Sequence, residues 1–179
     1  MQPVTIDFVR LTRNDVPLLA RWLEQPHVRR WWLDASSDPD RLEQKYGPRI
    51  DGAWPEVFIV HVDGRPAGLI QWCPMEGYAE WYGQLKEARD AIGIDYLIGE
   101  PELVGRGIGT RVIGDFVRRV WDRFPDAGGV IADPQPTNTA SCRVLEKNGF
   151  RAVFEGRLGN DPVDSRVYRL DRPGKASAP

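Results

Sequence analysis

Three glycines at alternate positions, Gly105, Gly107 and Gly109, lie between a predicted strand and a predicted helix. Residues 92–98 before them form an apolar run that indicates a strand, and apolar residues recur at helical spacing over residues 111–123. Because glycine has no Cβ, successive amides of such a loop can turn toward an anion, and the helix dipole adds positive charge. The loop predicts a cradle for a phosphate or pyrophosphate, although an isolated loop of this kind more often only connects two elements.

Two common phosphate-binding motifs do not fit this loop. No Lys-Ser/Thr pair follows the glycines, as it does in a P-loop, and the spacing differs from the G-x-G-x-x-G of dinucleotide-binding folds. The strand before the loop also opens no clear βαβαβ series. The rest of the chain has to decide what the loop binds.

The chain after this helix continues as strand, helix and strand. The predicted elements are a strand over residues 129–133, a helix capped by Thr137 or Asn138 and stopped by Gly149, and strands over residues 150–154 and 165–170. A helix joins the strand of residues 92–98 to that of residues 129–133, so these two strands should be parallel.

The first half of the chain predicts a strand, two helices and a hairpin. These are a strand over residues 5–11, helices over 15–24 and 38–46, and strands over 57–62 and 67–72 that Asp63-Gly64 joins in a tight turn. Residues 75–90 lack periodicity and predict a long loop with one helical turn near residues 85–89. This order predicts an α/β (α+β) fold, a mixed, mostly antiparallel sheet flanked by helices, in one domain of residues 1–172 with a disordered tail of residues 173–179.

Composition excludes several classes of protein. The 179 residues carry a formal net charge of −2, so bulk attraction to nucleic acid or an anionic membrane is not expected. No apolar run is long enough to span a bilayer, and the first ten residues lack the features of a signal peptide, so we expect a cytoplasmic protein. The two cysteines, Cys73 and Cys142, lack metal-ligand spacing, so we expect free thiols and no metal site.

Three segments together resemble a known family. Residues 104–110, Val-Gly-Arg-Gly-Ile-Gly-Thr, are followed at the right distance by Asn138 and by residues 145–150, Leu-Glu-Lys-Asn-Gly-Phe. The combination resembles the acyl-CoA-binding core of the GNAT N-acetyltransferases. Within that superfamily, Trp31-Trp32 and the segments of residues 93–97 and 133–138 are most similar to the aminoglycoside 6′-N-acetyltransferases. The resemblance extends from about residue 8 to residue 170.

The resemblance implies a site for acetyl-CoA. In the GNAT fold the two parallel strands splay apart and the pantetheine arm of the cofactor lies in the gap. The amides of the glycine loop would bind the pyrophosphate, helped by the guanidinium of Arg106, while the strand backbone would pair with the pantetheine amides and an N–H near Leu97 would polarise the thioester carbonyl. Val104 departs from the polar residue that usually opens the family's motif, which a backbone cradle tolerates. The implied cofactor-binding residues are Tyr96, Leu97, Ile98, Val104, Gly105, Arg106, Gly107, Ile108, Gly109, Thr110 and Asn138.

Two aspartates are the candidate groups for the amine. Asp95 interrupts an apolar strand, where an unpaired carboxylate is costly, so a functional or well-solvated position is expected. It could bind a protonated amine, accept its proton directly or relay the proton through water. Asp133 ends the neighbouring strand and is the expected partner of Asp95, although an aspartate before Pro134 also suits a turn.

A general acid for the departing thiolate is less clear. The family commonly has a tyrosine seven residues after the asparagine, and this chain has Leu145 there. Water, the proton of the incoming ammonium, or the hydroxyl of Tyr96 is left for this role. We therefore name Asp95 and Tyr96 as the candidate catalytic residues.

Aromatic and acidic side chains predict the acceptor. Apolar faces of sugar rings stack on aromatic rings, and amino sugars carry positive charge that carboxylates and aromatic faces attract. Any one of these aromatic residues is more often a core residue, but several fall in predicted loops. The candidate substrate-binding residues are Trp31, Trp32, Trp81, Tyr82, Glu80, Asp95, Asp133 and Asp161.

Three functions follow from the resemblance and the residues. The first is acetyl-CoA-dependent acetylation of the 6′-amino group of aminoglycosides, which gives antibiotic resistance, by a monomer or homodimer acting on a cationic amino sugar. The second is acylation of a siderophore precursor or of a peptide amine. The third is a sensor that binds CoA without turnover, for which Leu145 is the best support and Asp95 the best counter-argument.

Overall fold

Seven strands form one mixed sheet in the order β1-β2-β3-β4-β5-β7-β6. The structure is a computed structural model that describes residues 4–32, 35–83 and 85–174, except the side chains of Ala79 and Trp81. The strands are β1 (Ile6–Arg10), β2 (Glu56–Val62), β3 (Arg65–Pro74), β4 (Ala91–Ile98), β5 (Gly129–Ala132), β6 (Arg151–Arg157) and β7 (Asp164–Asp171). The helices that flank them are α1 (Val16–Leu23), α2 (Pro26–Arg29), α3 (Pro39–Ile50), α4 (Ala79–Tyr82), α5 (Ile108–Arg123) and α6 (Thr139–Lys147).

The sheet is mixed because it contains both parallel and antiparallel strand pairs. Strands β4 and β5 are parallel, whereas β1 with β2, β2 with β3, β5 with β7 and β6 with β7 are antiparallel. The predicted fold class is confirmed, including the parallel pair that a crossover helix requires.

The chain divides into two compact units, residues Met1–Trp72 with Tyr96–Ile108 and residues Cys73–Asp95 with Gly109–Pro179. In the first unit the β2–β3 hairpin turns through Asp63 and Gly64, whose φ angles of 49° and 75° are both positive. Two positive φ angles are those of the type I′ turn that Asp-Gly favours. The predicted hairpin is therefore confirmed.

The core of the first unit surrounds Trp22 on α1. This side chain is fully buried, and its Nε1 donates a hydrogen bond of 2.9 Å to Glu100 Oε1. A Cβ at Gly99 would lie 2.2 Å from the Trp22 ring, so only glycine fits the chain at that point. The residues that directly follow β4 are thereby fixed against α1.

The second unit contains the amphipathic helix α5 and the buried strand β5. Val112, Ile113, Phe116 and Val120 of α5 have no exposed surface, and all four residues of β5 are buried. A separate apolar cluster of this unit includes Met75, Leu85, Ile131 and Leu158, against which Tyr82 packs. Strand β5 therefore forms the apolar interior next to which Asp133 emerges.

Two segments differ from the sequence prediction, and part of a third lies outside the described residues. Helix α3 extends to Ile50 rather than ending near residue 46, with Pro48 inside it. The predicted loop of residues 75–90 contains the expected helical turn, at Lys86–Ala88, and in addition a 3₁₀ turn over Met75–Tyr78 and the single turn α4. Residues 175–179 of the predicted tail lie outside the described residues. Within the described ranges, 4–32, 35–83 and 85–174, no helix has the length and apolarity to cross a membrane.

Candidate active site

The glycine loop that precedes α5 contains two residues with positive φ angles. Gly105 and Gly107 have φ angles of 77° and 79°, and residues 104–107 are exposed. A Cβ at either glycine would meet no atom within 4 Å, so these glycines are required by conformation and not by lack of space. Alternating left-handed residues before a helix N-terminus turn their amides to one side, as anion-binding nests do.

Contacts with α6 fix the first turn of α5. Asn148 Nδ2 donates to the carbonyl of Thr110 at 3.0 Å and to that of Val144 at 2.8 Å. A Cβ at Gly109 would lie 3.4 Å from a Val144 methyl group, so the two helices approach closely there. The helix end that follows the loop is thus held in place within the second unit.

Asn138 is the N-cap of α6, as the sequence predicted. Its side-chain Oδ1 accepts a hydrogen bond of 3.2 Å from the backbone N–H of Ser141, and its backbone N–H donates to the Gln135 carbonyl at 2.9 Å. Capping engages the side-chain oxygen. A contact with the cofactor would therefore use the Nδ2 donor.

The C-terminal half of β4 carries the predicted cofactor-pairing residues. Leu97 is buried, and its carbonyl oxygen would lie 2.2 Å from a Cβ at Gly68 of β3. The carbonyl of Ile98 lies 2.9 Å from His27 Nε2. Tyr96 is half-buried on this strand, and Val104 and Arg106 are exposed on the loop that follows.

Strands β4 and β5 part after three residue pairs. Their register pairs Ala91 with Gly129, Ile92 with Val130 and Gly93 with Ile131, but β4 continues to Ile98 whereas β5 ends at Ala132. The pairing of the two strands therefore ends just before Asp95 and Asp133. The sequence predicted a parallel pair, and the register gives the point at which its pairing ends.

Three carboxylates and one tyrosine hydroxyl interact in the second unit. Asp133, just after β5, is half-buried and lies within electrostatic range of Asp95 and of Asp161, which is in the turn between β6 and β7. The Tyr82 hydroxyl forms a hydrogen bond with Asp133. Asp161 is held by its own turn, because its amide donates to the Leu158 carbonyl at 3.0 Å and its Oδ1 accepts from the Val163 amide at 3.3 Å.

This environment changes the acidity of two groups. Burial, and then the negative charge of Asp95, raise the pKa of Asp133 to about 7, while the hydrogen bond from Tyr82 opposes that rise. Burial and the charges of Asp133 and Asp95 raise the pKa of Tyr82. Asp133 therefore titrates near neutral pH, and Tyr82 remains a hydrogen-bond donor there.

The groups in this cluster are carboxylates and one hydroxyl. Within the described residues, no group of three His, Cys, Asp or Glu side chains has the arrangement of a metal site. A protonated amine needs only carboxylates within hydrogen-bond reach, and a carboxylate near its pKa can also take up a proton.

The remaining predicted acceptor residues have varied surroundings. Glu80 is exposed on the same helical turn as Tyr82, and the side chain of Trp81 lies outside the described residues. In the first unit, Arg30 lies over the Trp31 ring at 4.8 Å from its centroid, and Trp32 packs against the core. Trp31 already has a cationic neighbour, and Trp32 has a packing role.

Leu145 is fully buried in the second unit. This position is therefore part of the core. Sequence reasoning missed the hydrogen bond between Tyr82 and Asp133, because no local signal links a helical turn of residues 79–82 to the end of β5.

Comparison with known proteins identifies the family. The model of the acetyltransferase (GNAT) domain matches residues 12–158, and the chain belongs to this family. An aminoglycoside N(6′)-acetyltransferase type 1 of Klebsiella pneumoniae is 26% identical over 145 residues, which cover 78% of this chain and 71% of that protein. The lysine N-acyltransferase MbtK of Mycolicibacterium paratuberculosis is 26% identical over 175 residues, covering 96% of this chain and 75% of the relative.

The solved structures agree on the fold. The structure of AAC(6′)-Ib in complex with ribostamycin and coenzyme A has a TM-score of 0.82 at 22% identity and covers 99% of this chain and 100% of that one. At this identity the likeness establishes the GNAT fold, as the resemblance in sequence implied.

Proposed function

We propose that this protein transfers the acetyl group of acetyl-CoA to the 6′-amino group of aminoglycoside antibiotics and so gives resistance to them. The observation that carries the proposal is the group formed by Asp95, Asp133, Asp161 and Tyr82, in which the pKa of Asp133 is raised to about 7. Such a group suits a small polycation whose amine must lose a proton near neutral pH. The relatives named as aminoglycoside N(6′)-acetyltransferases support this substrate class.

The open backbone of the glycine loop supports the binding of a diphosphate there. Positive φ angles at Gly105 and Gly107 and the exposure of residues 104–107 leave amides available ahead of α5. We assign the diphosphate of acetyl-CoA to the amides of residues 105–110, with Arg106 and Asn138 as side-chain donors, and its pantetheine arm to the backbone of residues 96–98. When bound, acetyl-CoA supplies an activated acetyl group on a thioester.

The carboxylates bind the acceptor and remove its proton. The ammonium group of the amino sugar binds at Asp95 and Asp133, because two close carboxylates repel each other and gain from a cation between them. The bound ammonium group gives one proton to Asp133 and becomes the attacking amine. The nitrogen loses a second proton as the amide forms, and that proton passes through solvent or the Tyr96 hydroxyl to the departing sulfur. Asp161 adds negative charge for a second ammonium group.

The test is a thiol-release assay on a matched pair of antibiotics. Neomycin and paromomycin differ only in the 6′ substituent, an amine in the first and a hydroxyl in the second. With acetyl-CoA we expect turnover of neomycin and little of paromomycin. Asp95→Asn should lower kcat/KM by roughly 10²–10⁴-fold with folding intact, whereas Asp122→Asn, an exposed change on α5, should have no effect.

Failure of this test has a defined meaning. If no 6′-amino compound releases CoA, or if neomycin and paromomycin react equally, the proposed acceptor is wrong. If the protein binds CoA unchanged in Asp95→Asn and neither form turns over any amine, the chain is a sensor rather than an enzyme.

A lysine-type amine is the second candidate acceptor. It is favoured by the relative named lysine N-acyltransferase, whose match covers 96% of this chain. Free lysine, an N6-hydroxylysine and short- and long-chain acyl-CoA donors therefore belong in the same assay. Faster turnover of these amines than of neomycin would favour this candidate.

A further inference from the structure

The segment between β3 and β4 places the hydroxyl of Tyr82 next to the carboxylate of Asp133. Tyr82 ends the single turn α4, and its carbonyl accepts a hydrogen bond of 2.7 Å from the amide of Leu85, a buried residue. Its ring packs, half-buried, against the apolar cluster that includes Met75 and Ile131. Backbone and ring are therefore both fixed, and the hydroxyl has a defined position at Asp133.

The backbone of Asp133 is also fixed, which leaves its side-chain torsions as the variable. Strand β5 pairs with β4 on one side and with β7 on the other, where Ala132 lies opposite Tyr168. Just beyond, the amide of Arg166 donates to the Pro134 carbonyl at 2.8 Å. The groups around the Asp133 carboxylate therefore determine its orientation.

Those groups are unequal in sign. Asp95 on β4 and Asp161 in the β6–β7 turn repel the Asp133 carboxylate, whereas Tyr82 on α4 donates a hydrogen bond to it. A carboxylate next to two like charges turns away or takes up a proton unless a donor holds it. The hydroxyl of Tyr82 is placed to be that donor.

We propose that Tyr82 is a positioning residue for the acceptor site, whose hydroxyl holds the Asp133 carboxylate ionised and oriented beside Asp95 and Asp161. This role rests on the proposed function only for its kinetic consequence. Tyr82 would then do more than offer an aromatic surface to the sugar ring. Its ring packs against the apolar cluster, and its hydroxyl forms a hydrogen bond with Asp133.

The direct test measures Asp133 itself. In protein labelled with ¹³C at the aspartate carboxyl carbon, Asp133→Asn identifies the Asp133 resonance, and its pH titration gives the pKa. Tyr82→Phe keeps the ring and removes the hydroxyl, so the pKa of Asp133 should rise by about one unit, the size expected for one hydrogen bond to a charged group. Tyr168→Phe is the matched control, because its hydroxyl donates to Glu146 at 2.8 Å instead. An unchanged pKa in Tyr82→Phe overturns the proposal.

A second measurement covers the case in which Tyr82→Phe does not fold. In unsubstituted protein labelled at the tyrosine Cζ, the Tyr82 resonance should shift with a midpoint near the pKa of Asp133, about 7. A Tyr82 resonance that stays constant through this range overturns the proposal.

Kinetics separate this role from the proposed function. If the enzyme acetylates a 6′-amine, Tyr82→Phe should move the acidic limb of its kcat/KM profile upward by about one pH unit, roughly a tenfold loss on that limb with much less loss above it. An equal loss at every pH indicates damaged packing and counts against positioning. If no amine is acetylated, the proposed function fails while the two NMR titrations still decide the role of Tyr82.

Discussion

Replacing Asp133 by asparagine should stabilise the folded protein, and more so as the pH rises. The pKa of Asp133 is raised from the ordinary 3.8 to about 7 by burial and by the charge of Asp95. The folded state therefore binds a proton that the unfolded state has released, so the stability contributed by Asp133 falls as pH rises between these two values. Asparagine cannot ionise and avoids this loss.

The magnitude follows from the interval between the two titrations. Each pKa unit corresponds to about 1.4 kcal/mol, so between about pH 5 and pH 8.5 the wild type should lose roughly 2–3 kcal/mol relative to Asp133→Asn. The loss should be complete once the pH is well above 7, where Asp133 is ionised in both states. A cost of this kind is expected where a group is kept for chemistry rather than for stability.

Urea unfolding of both proteins at these two pH values measures the difference. Asp122→Asn serves as the control, because Asp122 is exposed on α5 in the same unit, and its difference from wild type should not depend on pH. If the difference between Asp133→Asn and wild type is the same at both pH values, Asp133 does not titrate near neutral pH and the reasoning is refuted.

Three further changes test the cofactor loop, a helix cap and a buried arginine. Gly107 and Gly64 have nearly the same φ, 79° and 75°, and each has open space where a Cβ would lie, so replacing either by alanine should cost about 1–2 kcal/mol of stability. Only Gly107→Ala should raise the KM for acetyl-CoA. Equal KM values in the two variants would contradict a phosphate-binding role of the loop. Asn138→Ala should cost about 1 kcal/mol of stability in thermal unfolding and should raise the KM for acetyl-CoA. Asn138→Ser should restore the stability, because serine can cap the helix, but not the KM. If serine restores both, Asn138 only caps α6. Arg169→Met should lower the free energy of unfolding by about 1–3 kcal/mol, because the buried Arg169 donates hydrogen bonds to two partly exposed aspartates. A loss below about 0.5 kcal/mol in urea contradicts this expectation.

The features that the sequence predicted well have local causes. The Asp63-Gly64 turn and the Asn138 cap each depend on the conformational preferences of one or two residues. The parallel pair of β4 and β5 follows from the helix between them. Asp95 was noticed because a carboxylate stands in an otherwise apolar strand.

The features that the sequence missed have tertiary causes. A four-residue helix such as α4 spans about one turn, too short to show a period, and it forms where Met75, Leu85 and Ala88 are buried in one cluster. Helix α3 continues past Pro48 to Ile50. In this last turn Arg49 donates a hydrogen bond of 3.1 Å to Oε1 of Gln71, which lies 22 residues further along the chain. The contact of Tyr82 with Asp133 depends on the same kind of packing.

The most direct test of the whole account is an experimental structure of the protein with coenzyme A and neomycin. It should place the diphosphate on the amides of residues 105–110 and the 6′-nitrogen within about 3 Å of the Asp95 or Asp133 carboxylate. A diphosphate bound away from the glycine loop, or a 6′-nitrogen with neither carboxylate as a neighbour, contradicts the account.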